Sequence, residues 1–168
     1  MKISEFVRQN VESFIGNKEF PEYSEESTPE NLPERRGAFV RIKDPATGEV
    51  LGEEGHLTAD RPFHILARDL AISILNNGNM RAPGKDIAIE IFAVRNLRAA
   101  RDLSVIDPEK HGIMIQILNR QSFRLPAPVH AKTKKDPGEY LRSLCAASGI
   151  RADIENCLVF TFEIEAVE

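Results

Sequence analysis

Glu53, Glu54 and His56, bracketed by Gly52 and Gly55, place two carboxylates and an imidazole inside one short stretch. Such groups can hold a divalent cation or serve as an acid/base set. Neighbouring residues of an extended segment face opposite ways, so Glu53 and Glu54 are poor partners, whereas Glu54 and His56 share a side and are the candidate metal ligands. The stretch reads as a glycine-bounded turn by which a hairpin exits. A solvated, charged turn explains the same residues, because spacing fixes no third ligand. Of the other histidines, His64 stands one position from Phe63 on a core helix, where it should border solvent. His111 precedes a strand, where a turn role suffices. His130 lies in a proline-rich connection that would reach the Glu53 turn if two hairpins are neighbours. No pair has the H-x-x-x-H or H-E-x-x-H spacing of a helical metal site.

Arg120 and Arg124 with Lys132, Lys134 and Lys135 form a basic concentration able to meet a phosphate or an acidic partner, or simply a solvated loop. No aromatic residues interleave with the lysines, as a single-strand nucleic-acid platform requires. The candidate ligand-binding set is therefore Gly52, Glu53, Glu54, Gly55, His56, Arg124 and His130. Cys145 shares an apolar helical stripe with Leu141 and Leu144, and Cys157 opens a strand, so both read as packing rather than as nucleophiles. There is no P-loop and no G-x-G-x-x-G, and the residues name neither a catalytic group nor a cofactor.

These residues sit in a chain of 168 residues with 22 Lys plus Arg, 26 Asp plus Glu and a net charge of −4. That length suits a single domain over residues 1–168. With 42% hydrophobic residues the chain can build a core, yet its apolar runs fall well short of the roughly 18 residues of a membrane span. The acidic balance gives no global field for a phosphate backbone, so neither nucleic acid nor membrane is expected as a partner. Two cysteines without ligand spacing, and an amino terminus without a basic and then apolar leader, lead to the expectation of a cytoplasmic protein.

Ile3, Val7, Val11 and Phe14 recur at helical spacing and predict an amphipathic helix ending near Gly16. The proline-interrupted, Glu- and Ser-rich run from Asn17 to Glu34 reads as a surface connection. Ala38 to Lys43 predicts a strand, turning through Asp44-Pro45-Ala46-Thr47-Gly48 into Glu49-Val50-Leu51. Phe63, Leu66, Ala67, Leu70 and Ile74 predict the main core helix, with Asp60 as its cap and Pro62 in its first turn. Ile87 to Val94 alternates as a strand, Gly112 to Leu118 and Gln121 to Leu125 form a second hairpin, and Asp136-Pro137-Gly138-Glu139 opens a third helix ending at Gly149. Leu158 to Ala166 is the closing strand. Hairpins divided by single helices argue for an α+β fold, a mainly antiparallel sheet with three main helices. If there are two unequal lobes, they should divide near Leu103 to Asp107.

Arg36-Gly37-Ala38-Phe39-Val40 with its following Gly-Glu turn resembles the AMMECR domain family, named for a human chromosomal region linked to Alport syndrome and midface hypoplasia. His111-Gly112-Ile113-Met114-Ile115, Leu125-Pro126 and the helix Tyr140 to Gly149 with its central Cys145 are similar to further stretches of that family. Where the family carries Arg-Gly-Cys-Ile-Gly, this chain has Leu51-Gly52-Glu53-Glu54-Gly55. The retained glycines imply a kept backbone, by positive φ or by close approach of another group, and the replaced residues imply altered chemistry. The resemblance implies a ligand- or partner-binding module of AMMECR type lacking the motif cysteine. The alternative is an enzyme in which Glu53, Glu54 or His56 acts as acid/base or metal ligand. The family's occurrence beside Memo-type and radical-SAM proteins implies a pathway partner of those kinds, besides a protein partner or small ligand in general.

Overall fold

The computed structural model describes residues 1–17, 29, 36–77, 86–118, 120–126, 137–147, 149 and 156–168. Their elements are α1 (Ile3–Asn17), β1 (Ala38–Lys43), β2 (Val50–His56), α2 (Phe63–Asn76), β3 (Ala88–Ala99), β4 (Gly112–Ile117), β5 (Arg120–Arg124), α3 (Pro137–Ala147) and β6 (Leu158–Val167). A 3-10 turn spans Leu103–Val105. The strands follow the order β2-β1-β3-β6-β4-β5. Pairing of β1 with β2 and β3, and of β4 with β5 and β6, is antiparallel. The fold is α+β, with three main helices and a mainly antiparallel sheet, as expected from the hairpin grouping.

Two compact units divide the chain, Met1–Val94 with Glu165–Glu168, and Arg95–Ile164. The division falls inside β3 and not near Leu103 to Asp107. Burial along β3 stops at Val94, residues 95–99 are exposed, and Asn96 adopts a left-handed φ of 51°. Asn is among the few residues that tolerate that conformation.

In the first unit, Ile3, Phe6, Val7 and Val11 of α1 and Phe63, Leu66, Ala67, Leu70 and Ile74 of α2 pack onto Ala38, Val40 and Ile42 of β1 and Ile91 and Ala93 of β3. Burying each large side chain contributes about 1.5–3 kcal/mol, so this stripe-on-strand contact dominates the unit's stability. The β1–β2 turn closes as its residue types demand. The Asp44 carboxylate accepts from the backbone of Ala46 and Thr47, and Gly48 takes a φ of 72°. At the start of α2 the cap differs from expectation. Pro62 occupies the cap position with no side-chain bond, and Asp60 pairs with Arg61 instead. His64 also departs from expectation, since it is buried. The approach of α1 covers its flank, and its ring stands edge-on to Phe6 with centroids 5.1 Å apart.

In the second unit, Leu141, Leu144 and Cys145 of α3 close over Ile113 and Ile115 of β4, Val159 of β6 and Ile106. Helix α3 ends where Gly149, at φ 67°, donates its N–H to the Ala146 carbonyl. Its expected cap, Asp136, lies outside the described residues. No described helix is long and apolar enough to cross a membrane.

Candidate functional site

The stretch Gly52–His56 is not a turn. It is the body of β2, paired residue by residue with β1, from Ile42↔Gly52 to Ala38↔His56. The reason is geometric. Directly opposed residues of an antiparallel pair share a face, and both glycines meet large side chains there. A Cβ on Gly52 would strike Ile74 of α2, and one on Gly55 would strike the ring of the buried Phe39. Neither glycine holds a positive φ; those do so at Gly48 and Gly149. The need at Gly52 and Gly55 is for room, not for unusual backbone.

The strand register sorts the candidate residues. Glu54 and His56 stand opposite Val40 and Ala38, on the side of the helices, with Glu54 half-buried and His56 exposed at the sheet edge. Glu53 stands opposite Arg41, on the side away from the helices. One Glu53 carboxylate oxygen accepts from both Nε and Nη2 of Arg41, each at 2.7 Å. The pair is about three-quarters buried, with side chains 23% and 25% exposed. On the other flank of Arg41 lies Glu90 of β3, whose carboxylate is 3.6 Å from Arg41 Nη1 and accepts from Lys43 Nζ at 2.6 Å. The Arg41 guanidinium also sits 5.7 Å over the ring of Phe92. Two cations thus alternate with two anions across three strands, with the Phe92 ring beneath Arg41. A cation held over an aromatic ring and fixed by carboxylates on two sides is a rigid group, suited to recognition.

Sequence reasoning did not single out Arg41, Lys43, Glu90 or Phe92. The available signal was alternation. Phe39, Arg41 and Lys43 interleave with the core residues of β1, and Glu90 and Phe92 interleave with Ile89 and Ile91 of β3. Two strands each presenting charge and aromatic residues on their second face have complementary faces once paired.

The other candidates fall elsewhere. Arg124 is on β5 in the second unit, near enough to Tyr140 of α3 to act on its ionisation. Burial of that phenol pushes its ionisation up against the opposing pull of Arg124. His130 and Lys132, Lys134 and Lys135 lie outside the described residues. His111 has the turn role its position suggested: its Nδ1 accepts from the Asp107 backbone N–H at 3.2 Å, and its own backbone N–H donates to the Asp107 carbonyl at 2.7 Å. Among the described residues, no three His, Cys, Asp or Glu side chains gather as a metal site.

With this geometry in place, comparison with known proteins gives a consistent result. Among solved structures the chain is similar to the uncharacterized protein PH0010 from Pyrococcus horikoshii, 19% identical, covering 98% of this chain and 88% of that one with a TM-score of 0.77. At that identity the likeness is one of fold. No curated protein matches. The AMMECR1 family model matches residues 4–167, nearly the whole length, and the chain therefore belongs to the AMMECR1 family.

Proposed function

We propose that the protein is a binding module, and that the face of β1, β2 and β3 turned away from the helices recognises a small ligand or a partner protein. The single observation carrying this reading is the engagement of Glu53 by Arg41. By resemblance, Glu53 stands where the family's motif carries its cysteine. A carboxylate already accepting two guanidinium bonds is a positioning group for Arg41, and it lacks the nucleophilicity of a thiolate. Charge-assisted contacts of this kind are worth about 1–3 kcal/mol each and hold the guanidinium in one orientation. The cytoplasm is the proposed location, and a Memo-type or radical-SAM protein is a partner class worth testing.

The test uses wild type, Arg41→Gln and Glu53→Gln as bait for lysate of the native organism, alongside calorimetric titration with magnesium, manganese and zinc. A binding module predicts a captured species that wild type retains, that Arg41→Gln loses, and that Glu53→Gln holds more weakly. All three proteins should melt as folded domains. Divalent binding that Glu53→Gln, or a Glu54→Gln and His56→Asn pair, abolishes would instead support the enzyme reading.

A further inference from the structure

We propose that Cys145 and Cys157 are a reversible redox pair that closes an intramolecular disulfide on reaction with a peroxide. The chain has two cysteines, separated in sequence by the end of α3 and the approach to β6. The fold returns them to one another. Cys145, 3% exposed, belongs to the cluster of Leu141, Leu144 and Val159, and Cys157 packs against that same cluster from a half-buried position. The two side chains pack on the same small apolar cluster, and Cys157 is near enough to act on the ionisation of the Cys145 thiol. Cys145 is held within α3, and Cys157 immediately precedes β6, whose Val159 belongs to the same cluster.

Their environments divide the work. Burial and the neighbouring sulfur push the Cys145 thiol up, which keeps it protonated and poorly reactive towards solvent oxidants. The better exposed Cys157 is the sulfur a peroxide reaches. The Cys157 thiolate attacks one peroxide oxygen and breaks the O–O bond, leaving a sulfenic acid and releasing hydroxide. Cys145 sulfur then attacks the sulfenic sulfur, the S–S bond forms, and the departing hydroxide takes the Cys145 proton as water. Two thiols lose two electrons and two protons, and hydrogen peroxide becomes two waters. A monothiol such as glutathione reverses the step by exchange.

The experiment treats the purified full chain with stoichiometric hydrogen peroxide at neutral pH and follows intact mass, alkylation and non-reducing peptide maps. The expected result is a monomer lighter by two hydrogens, a linked Cys145–Cys157 peptide, protection of both thiols from iodoacetamide, a raised melting temperature, and recovery on reduction. Cys145→Ser should leave Cys157 as a sulfenic acid that dimedone traps. Cys157→Ser, which spares the buried position, should leave Cys145 unmodified by the same dose. Oxidation of Cys157 to the sulfinic acid while Cys145 remains reduced would overturn the proposal. So would a disulfide-linked dimer, or pairing that occurs only in denaturant.

Discussion

His64 is a polar side chain in an apolar contact. It is 7% exposed, its ring abuts Phe6, and its Nδ1 makes no hydrogen bond among the described residues. The charged group acting on it is Arg68, one turn along α2, and the nearby Asn10 amide donates to the Phe6 carbonyl. Burial first, and then Arg68, pull its ionisation below the ordinary 6.5. The consequence for stability follows from proton counting. Above about pH 6.5 neither folded nor unfolded chain holds a proton on this ring, and it contributes nothing. Below that value the unfolded chain takes up a proton that the folded one refuses, so stability falls until the lowered folded value is reached. Thermal melts of wild type between pH 7.5 and 5 should therefore decline more steeply than those of His64→Gln, which has no proton to gain. The carboxylates act in a separate window. Arg61 holds Asp60 down to about 2, so whatever that contact contributes is present above the ordinary 3.8 and lost only as pH falls towards 2. Parallel melting curves for the two proteins between pH 7.5 and 5 would show that His64 is not the group responsible.

Strand β2 shows how an element can be unreadable alone and well specified in place. Gly-Glu-Glu-Gly has poor strand propensity, because glycine loses the most backbone freedom and glutamate packs badly on a pleated surface. The sequence pattern made β1 legible to its terminal residues, and the apolar stripe made α2 legible as the core helix, because in both the information is local. The specification of β2 is held by residues far from it: Phe39 across the ladder, Ile74 on α2 and Arg41 opposite Glu53. For the same reason the polar face was missed, as its four charges become partners only after β1 has paired on both sides. Three glycine substitutions separate the mechanisms. Gly52→Ala and Gly55→Ala force a methyl into Ile74 and Phe39, both buried, and each should cost about 1–3 kcal/mol as overpacking does. Gly16→Ala, near the exposed end of α1 with open space around its Cα, should stabilise by about 0.5–1 kcal/mol because it removes backbone freedom from the unfolded chain. Chemical denaturation reads the signs directly, and a neutral Gly55→Ala would mean that Phe39 does not need the space.

Among the described residues, two hydrophobic clusters, one per unit, divide a chain whose length suits a single domain. Composition reports how much apolar surface exists, and it does not report how that surface is partitioned. The partition depends on where β3 and β6 pass from one unit to the other, at Val94 and Ile164, and only Asn96 with its left-handed backbone marks either crossing locally. Each unit repeats one device, an aromatic ring laid over a cross-strand glycine. Phe39 covers Gly55 in the first and Phe162 covers Gly112 in the second. A core defect should therefore be felt first in its own unit. Leu141, fully buried on α3, contacts the second cluster. Leu141→Ala leaves a cavity there and should cost about 2–5 kcal/mol. Native-state hydrogen exchange reads where that loss appears. Amides of Ile113 to Ile117 on β4 should exchange faster by a larger factor than those of Phe39 to Ile42 on β1, since partial opening exposes the damaged cluster before the intact one. The reciprocal substitution, Leu70→Ala on α2, should invert the ranking. Equal acceleration at both strands in both variants would mean that the two clusters open in one cooperative step, with β3 and β6 transmitting the loss across the whole chain.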